Sequence, residues 1–313
     1  MTAAQVPDLL ILGFNPLMGT DHYLRERARN PQRKQTRESA VRVAQMAVSA
    51  GAEGLNLNAG PSAVCLLNDL VDAGLDRHVG LYPMVPDERF FGSLLNQGTM
   101  GAISAVLSGL SITDKAKALL SGGWAWITND PLKAIQVYLE TEIERLNRAG
   151  GSLASVRTVL MHELITDSVV GLGATEAFSQ YIEEFRSRNG IPPGFVTRNF
   201  VRFSTFCRAS GHDPRSIIVM TPVNTAGFQM APSRDEVERE LARLNGQNII
   251  GISVFASGLV PFSESVAYLR GLRGVRSVAI GVSTLEHAKS TFSVLKGVMR
   301  DRDSPVPNTS RQV

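Results

Sequence analysis

Eight short runs of nearly continuous apolar residues punctuate the chain, at 9–13, 54–58, 79–85, 159–161, 194–197, 216–221, 249–255 and 275–280. Runs of this length that do not alternate with polar residues belong to parallel strands covered on both faces. Between them the period changes to that of helices. Val41, Ala44, Ala47 and Val48 share one face, as do Leu132, Ile135, Leu139, Ile143 and Leu146, and Ala174, Phe178, Tyr181, Ile182 and Phe185. Helix ends are marked by local chemistry: Ser62 as an N-cap, Asp130-Pro131, capping boxes at Ser233/Glu236 and Ser283/Glu286, and stops at Gly51, Gly74, Gly150 and Asn189-Gly190. Pro83 lies within the third run and calls for an edge, a bulge or the end of the strand.

Eight strands, each followed by a helix, imply right-handed crossovers and a (β/α)₈ TIM barrel, an α/β fold. A doubly wound dinucleotide fold is disfavoured because no GxGxxG follows the first strand. One barrel over 1–302 is expected, with a flexible tail at 303–313 that contains two prolines and no periodicity. Residues 87–130 are too long for a loop and too apolar for disorder, so an inserted helical segment after the third strand is expected. It has three open roles: a lid, a contact for a homo-oligomer, or plain packing.

Composition narrows the classes. With 32 Lys and Arg against 29 Asp and Glu, the net charge of +3 gives no electrostatic footprint for nucleic acid. No run reaches the roughly 18–20 apolar residues of a membrane span. Neither a signal nor a transit peptide is visible in MTAAQVPD, which points to a cytoplasmic protein. Cys65 and Cys207 form no CxxC and are expected to be core thiols. In the first loop, Arg25, Arg27 and Arg29 make either a solvated basic segment or a flap for a phosphate or carboxylate.

A barrel places its site at the carboxyl ends of its strands. Those ends present Asn15, Asn56, Asn58, His162, Glu163, Arg198, Asn199, Thr221, Asn224, Ser257, Ser283 and Thr284. His162 is the leading group for proton transfer, because an imidazole titrates near neutrality. Glu163 and Asp167 are close enough in sequence to orient it, although strand alternation would turn His162 and Glu163 to opposite faces. The amides, together with Arg198 and with His22 from the first loop, are candidate contacts for a small polar substrate. Ser283-Thr284 at a helix start form a candidate anion site. No HxH or HExxH spacing supports a metal.

The segments LILGFNPLMG, GAEGLNLNAG, VLMHELITD, GFVTRNF, ISVFASG and IGVSTLEHAKSTF, in that order, resemble the skeleton of the aldo-keto reductases. That family consists of (β/α)₈ barrels that reduce carbonyls with NADPH. The resemblance implies that His162 is the histidine on the substrate side and that Asn199 contacts the nicotinamide carboxamide. It also implies that Ser283 and Thr284 lie by the cofactor phosphates, with Thr221 and Ser257 lining the cofactor. There are departures. Where the family has DTAxxY, this chain has NLNAGP, so that Asn56 and Pro61 replace the aspartate and the proton-donating tyrosine. The third strand ends without the family's lysine, Ile252 replaces an aromatic, and no basic residue follows Ser283 directly.

Three functions remain open. One is an oxidoreductase using NADPH or NADH, with His162 or Tyr23 as a rebuilt donor. Another is a cofactor-free lyase, isomerase or epimerase using His162 and a carboxylate. The third is a binding protein that uses segment 87–130 as its contact surface.

Overall fold

A computed structural model describes residues 6–17, 36–86 and 131–303. Nine parallel strands run through it: β1 Leu10–Gly13, β2 Gly54–Asn58, β3 Val79–Val85, β4 Ala154–Val156, β5 Val159–Met161, β6 Pro193–Val196, β7 Ile218–Pro222, β8 Ile249–Ile252 and β9 Ser277–Gly281. Both β4 and β5 pair with β3, so they are two pieces of one barrel position, and β9 returns to β1. The result is a closed barrel of eight positions. Val79 lies opposite Ala154 and Met84 opposite Leu160, so one extra residue is taken up between β4 and β5, at Arg157-Thr158. Pro83 sits across from this bulge and has a ladder partner only on the β2 side, at Leu57. A residue with no N–H to donate therefore falls where the ladder skips.

Nine α-helices are described: α1 Arg37–Ala50, α2 Pro61–Asp72, α3 Pro131–Gly150, α4 Glu163–Leu172, α5 Thr175–Asn189, α6 Phe200–Ala209, α7 Arg234–Leu244, α8 Phe262–Gly271 and α9 Leu285–Asp303. Two helices, α4 and α5, follow the fourth strand position, where one was expected. None of the described helices is long and apolar enough to cross a membrane. Segment 87–130, the first loop and the carboxyl tail lie outside the described residues, and so do the expectations placed on them.

Strand alternation divides the core into two layers. Ile11, Tyr82, Leu160, Val196, Ile218, Met220, Ile250 and Ala279 fill the barrel interior. The opposite phase, including Leu10, Leu12, Leu55, Leu57, Leu81, Val219 and Val278, packs beneath the helices. Because both phases are apolar, hydrophobicity alone cannot tell them apart.

Several caps differ from the sequence pattern. Helix α2 starts at Pro61 after Gly60, with no side-chain cap, so Ser62 is not the N-cap. The last helix is capped by Thr284, whose hydroxyl accepts from the His287 N–H at 3.2 Å, one residue beyond the expected Ser283. Ser233 behaves as the pattern predicts: its Oγ accepts from the Glu236 N–H and donates to the Glu236 carboxylate at 2.6 Å. Cys207 is buried in the helix layer, where desolvation pushes its thiol up to about 12, but Cys65 is exposed on α2 and is not a core thiol.

Candidate functional site

β5 runs directly into α4, and β6 leads through Thr197, Arg198 and Asn199 into α6; this organises the candidate site. His162 follows β5, but it is the N-cap of α4 and not a strand residue. Its Nδ1 accepts from the Leu164 N–H at 3.2 Å, which satisfies one of the helix's orphan donors. Glu163 is then the first residue of the helix. Strand alternation ends at the cap, and the two side chains come together, with Nδ1 of His162 3.4 Å from the Glu163 carboxylate. The expectation that they face apart was wrong for this reason.

The second oxygen of Glu163 accepts from Arg198 at 2.7 Å. Asp167, one turn along α4, accepts from the Thr197 hydroxyl at 2.5 Å and from the Arg198 N–H at 3.2 Å. The Thr197 hydroxyl in turn accepts from the Asn199 N–H at 3.0 Å. Asp167 and Thr197 thus lock the backbone that presents Arg198, and Arg198 holds Glu163 beside the imidazole. Burial pushes the Glu163 carboxyl upward, but the charge of His162 and the hydrogen bond and charge of Arg198 outweigh it and hold the group below the usual carboxylate range. Its place in the first turn of a helix acts in the same direction.

Two protonation states of the imidazole follow from these contacts. While Nδ1 accepts from Leu164, a neutral ring carries its proton on Nε2. A proton on Nδ1 gives up that bond and faces the Glu163 carboxylate. One side chain therefore has a partner for each form.

The remaining candidates divide by phase and by commitment. Asn56 and Asn58 lie on the inward phase of β2, opposite Tyr82 and Met84. Asn56 is tied down, its amide donating to the Tyr82 carbonyl at 2.8 Å. The Asn58 side chain makes no hydrogen bond to a described residue. Asn199 caps α6, its Oδ1 accepting from the Arg202 N–H at 3.1 Å, which leaves its amino group to donate. Thr221 shares the outward phase of Val219, near the carboxyl end of β7, and is buried on the helix side of the strand and not in the barrel interior. Asn224 is also buried and staples its own loop, accepting from the Phe228 N–H at 2.8 Å and donating to the Phe228 carbonyl at 3.0 Å. Asn15 lies in the turn after β1. Tyr23 and His22 lie outside the described residues.

Sequence reasoning named Ser257 and a loop after β8 but set the start of that turn too late along the chain. Ser253, Ala256 and Ser257 all have positive φ, at 54°, 44° and 59°. Non-glycine residues in this region are strained, and such strain gathers at binding sites. The predicted strand through Phe255 stops at Ile252 because of this turn. Among the described residues, no three His, Cys, Asp or Glu side chains converge as a metal would require.

No protein-family model and no curated protein matches the sequence. Solved structures match over almost the whole chain. One from Pseudomonas aeruginosa, assigned to the aldo-keto reductases, is 14% identical with a TM-score of 0.56, covering 94% of this chain and 91% of its own. The fold is that of the aldo-keto reductases. A structure assigned as a 2,5-diketo-D-gluconic acid reductase B is 11% identical at a TM-score of 0.51, covering 97% and 92%. An aldo-keto reductase of Bacillus halodurans, in its holo form, is 12% identical at 0.50, covering 98% and 96%. At these identities the aldo-keto reductase likeness is one of fold.

Proposed function

We propose that this protein is an aldo-keto-reductase-like oxidoreductase that takes a small polar carbonyl or hydroxyl compound at the carboxyl face of the barrel. His162 is its proton-handling group, and NADPH or NADH is its redox partner. The observation that carries the reading is the His162–Glu163–Arg198 array at two adjacent strand ends of a barrel with this fold.

The donor set suits a dinucleotide. Asn199 keeps an amino group for a carboxamide oxygen, and the amino terminus of α9 at Ser283-Thr284 offers amides to a phosphate. The strained turn at 253–258 lies between them in chain order. The nicotinamide, when bound, supplies or accepts the hydride. The protein handles the proton. For reduction, the doubly protonated imidazole donates from Nε2 to the substrate oxygen, and the proton left on Nδ1 faces the Glu163 carboxylate. For oxidation, Nε2 takes the hydroxyl proton and Glu163 stabilises the imidazolium that results. Asn58, on the inward phase of β2, holds the substrate's polar end in this reading.

A second reading draws support from Asn56 and Pro61. The amide at position 56 is committed to a backbone carbonyl, and no tyrosine stands at position 61, so the family's usual proton relay is missing. A His–Glu pair in a barrel mouth also suits cofactor-free proton abstraction, as in an isomerase, epimerase or lyase. Calorimetry with NADPH and NADH separates the two. Binding of either nucleotide, with a rise in melting temperature, supports the oxidoreductase. Absence of both binding and any thermal shift rejects it in favour of acid–base chemistry alone.

A further inference from the structure

At the opposite end of the barrel a polar cluster occupies the interior floor. Tyr82 points down from β3. Its hydroxyl donates to the Asp8 carboxylate at 2.9 Å and accepts from the Asp8 N–H at 2.7 Å. Glycines at the amino ends of three strand positions make the room. A Cβ on Gly80 would overlap Asp8 Oδ2 and lie 2.8 Å from Arg157 Cγ, one on Gly54 would lie 2.7 Å from the Tyr82 ring, and one on Gly194 would lie 2.6 Å from Thr158 Oγ1. The segment entering β1 is pinned over this space, with the Leu9 N–H donating to Glu53 and the Ser277 hydroxyl donating to the Asp8 carbonyl.

A cavity of 170 Å³ remains, with Asp8, Tyr82, Arg157 and Thr158 on one side and Val6, Pro7 and Ile218 on the other. The two hydroxyls are used, Tyr82 on Asp8 and Thr158 on the Pro192 carbonyl at 2.8 Å. Two groups are not. The Arg157 guanidinium has no hydrogen bond or ion pair to a described residue, and Asp8 Oδ1 has no hydrogen bond to one. The bulge between β4 and β5 is what brings Arg157 here.

We propose that this floor cavity is a second ligand site, separate from the mouth, for a short aliphatic monocarboxylic acid. The ligand's carboxylate meets the Arg157 guanidinium, and its other oxygen accepts a hydrogen bond from the protonated carboxyl of Asp8. The alkyl chain lies against Val6, Pro7 and Ile218. At about 30 Å³ per water-sized unit the space suits about five or six non-hydrogen atoms, the size of butyrate. Burial raises the Asp8 carboxyl, outweighing the Tyr82 hydrogen bond and the Arg157 charge; Glu53 adds to the rise and His78 opposes it. Binding therefore takes up a proton and tightens as pH falls.

The test is calorimetric titration of the full chain with butyrate, at about pH 5.5 and about pH 7.5, in buffers of different ionisation enthalpy. Saturable 1:1 binding is expected, with proton uptake and about tenfold higher affinity at the lower pH. Arg157→Gln should weaken it about tenfold or more at both pH values while the melting temperature stays near wild type. Asp8→Asn, whose amide still donates, should bind with little pH dependence. The proposal is overturned if wild-type protein shows no saturable binding, if its affinity does not change with pH, or if Arg157→Gln binds normally. It is also overturned if Arg198→Gln abolishes binding, which would put the acid at the mouth, or if propylammonium binds in place of butyrate.

Discussion

The two ends of the barrel each hold a shielded carboxyl group beside an arginine, and the two groups are driven in opposite directions. Glu163 at the mouth is held below the usual carboxylate range, while Asp8 on the floor is pushed above it. The difference lies in what each strand end leads into. At the carboxyl ends the chain enters helices, so Glu163 sits in a first turn, receives Arg198 and faces His162. At the amino ends, among the described residues, Asp8 lies in the extended segment before β1 and not in the first turn of a helix. Asp8 is inserted against a phenol and glycine-lined backbone, with an arginine near but not bonded to it. Within one barrel, a carboxyl group keeps its charge where backbone amides and a bonded guanidinium repay its desolvation, and tends to hold its proton where they do not.

The sharpest break in this comparison is His162→Asn. Asparagine can still cap α4 but cannot relay a proton, so turnover on a carbonyl panel should fall about 10²- to 10⁴-fold, with the melting temperature nearly unchanged. Full activity in that variant would remove the mouth from the chemistry. Gly80→Ala attacks the floor instead. Its methyl group would collide with Asp8 and Arg157, so the variant should lose about 1–3 kcal/mol of stability in urea unfolding while a mouth-bound ligand keeps its affinity.

Two smaller effects test the opposite signs. The lowered Glu163 group contributes stability that is present above its ordinary value of 4.5 and is lost as pH falls through its lower folded value. Glu163→Gln should therefore cost about 0.5–1 kcal/mol at neutral pH, discounted because Arg198 is partly exposed, and the deficit should shrink in acid. The raised Asp8 group behaves in the reverse sense. Its contribution is complete below 3.8 and is lost as pH rises through its higher folded value. Asp8→Asn should melt slightly above wild type at neutral pH, by less than about 1 kcal/mol, with the gain vanishing in acid. Thermal melts across pH read both curves; slopes of the same sign for the two variants would refute the contrast.

Local chemistry in the sequence settled much of this molecule. Eight apolar runs too continuous for half-exposed strands, separated by helical periods, lead to a closed parallel barrel. Ser233, Gly190 and the faces of α1 and α5 follow from cap chemistry and a 3.6-residue period, which depend only on near neighbours. What the tertiary structure alone decided is everything that depends on phase and long-range register. Thr221 and Met220 are adjacent in an unbroken apolar run, and only closure of the barrel sends one outward and the other inward. His162 and Glu163 meet because a helix begins directly where the strand ends, so that a helix cap replaces alternation. The floor cluster joins Asp8, Tyr82 and Arg157, separated by 74 and 75 positions along the chain. A bulge in one ladder and the absence of side chains at Gly54 and Gly80 bring them together, and no local pattern records the distance that closure removes.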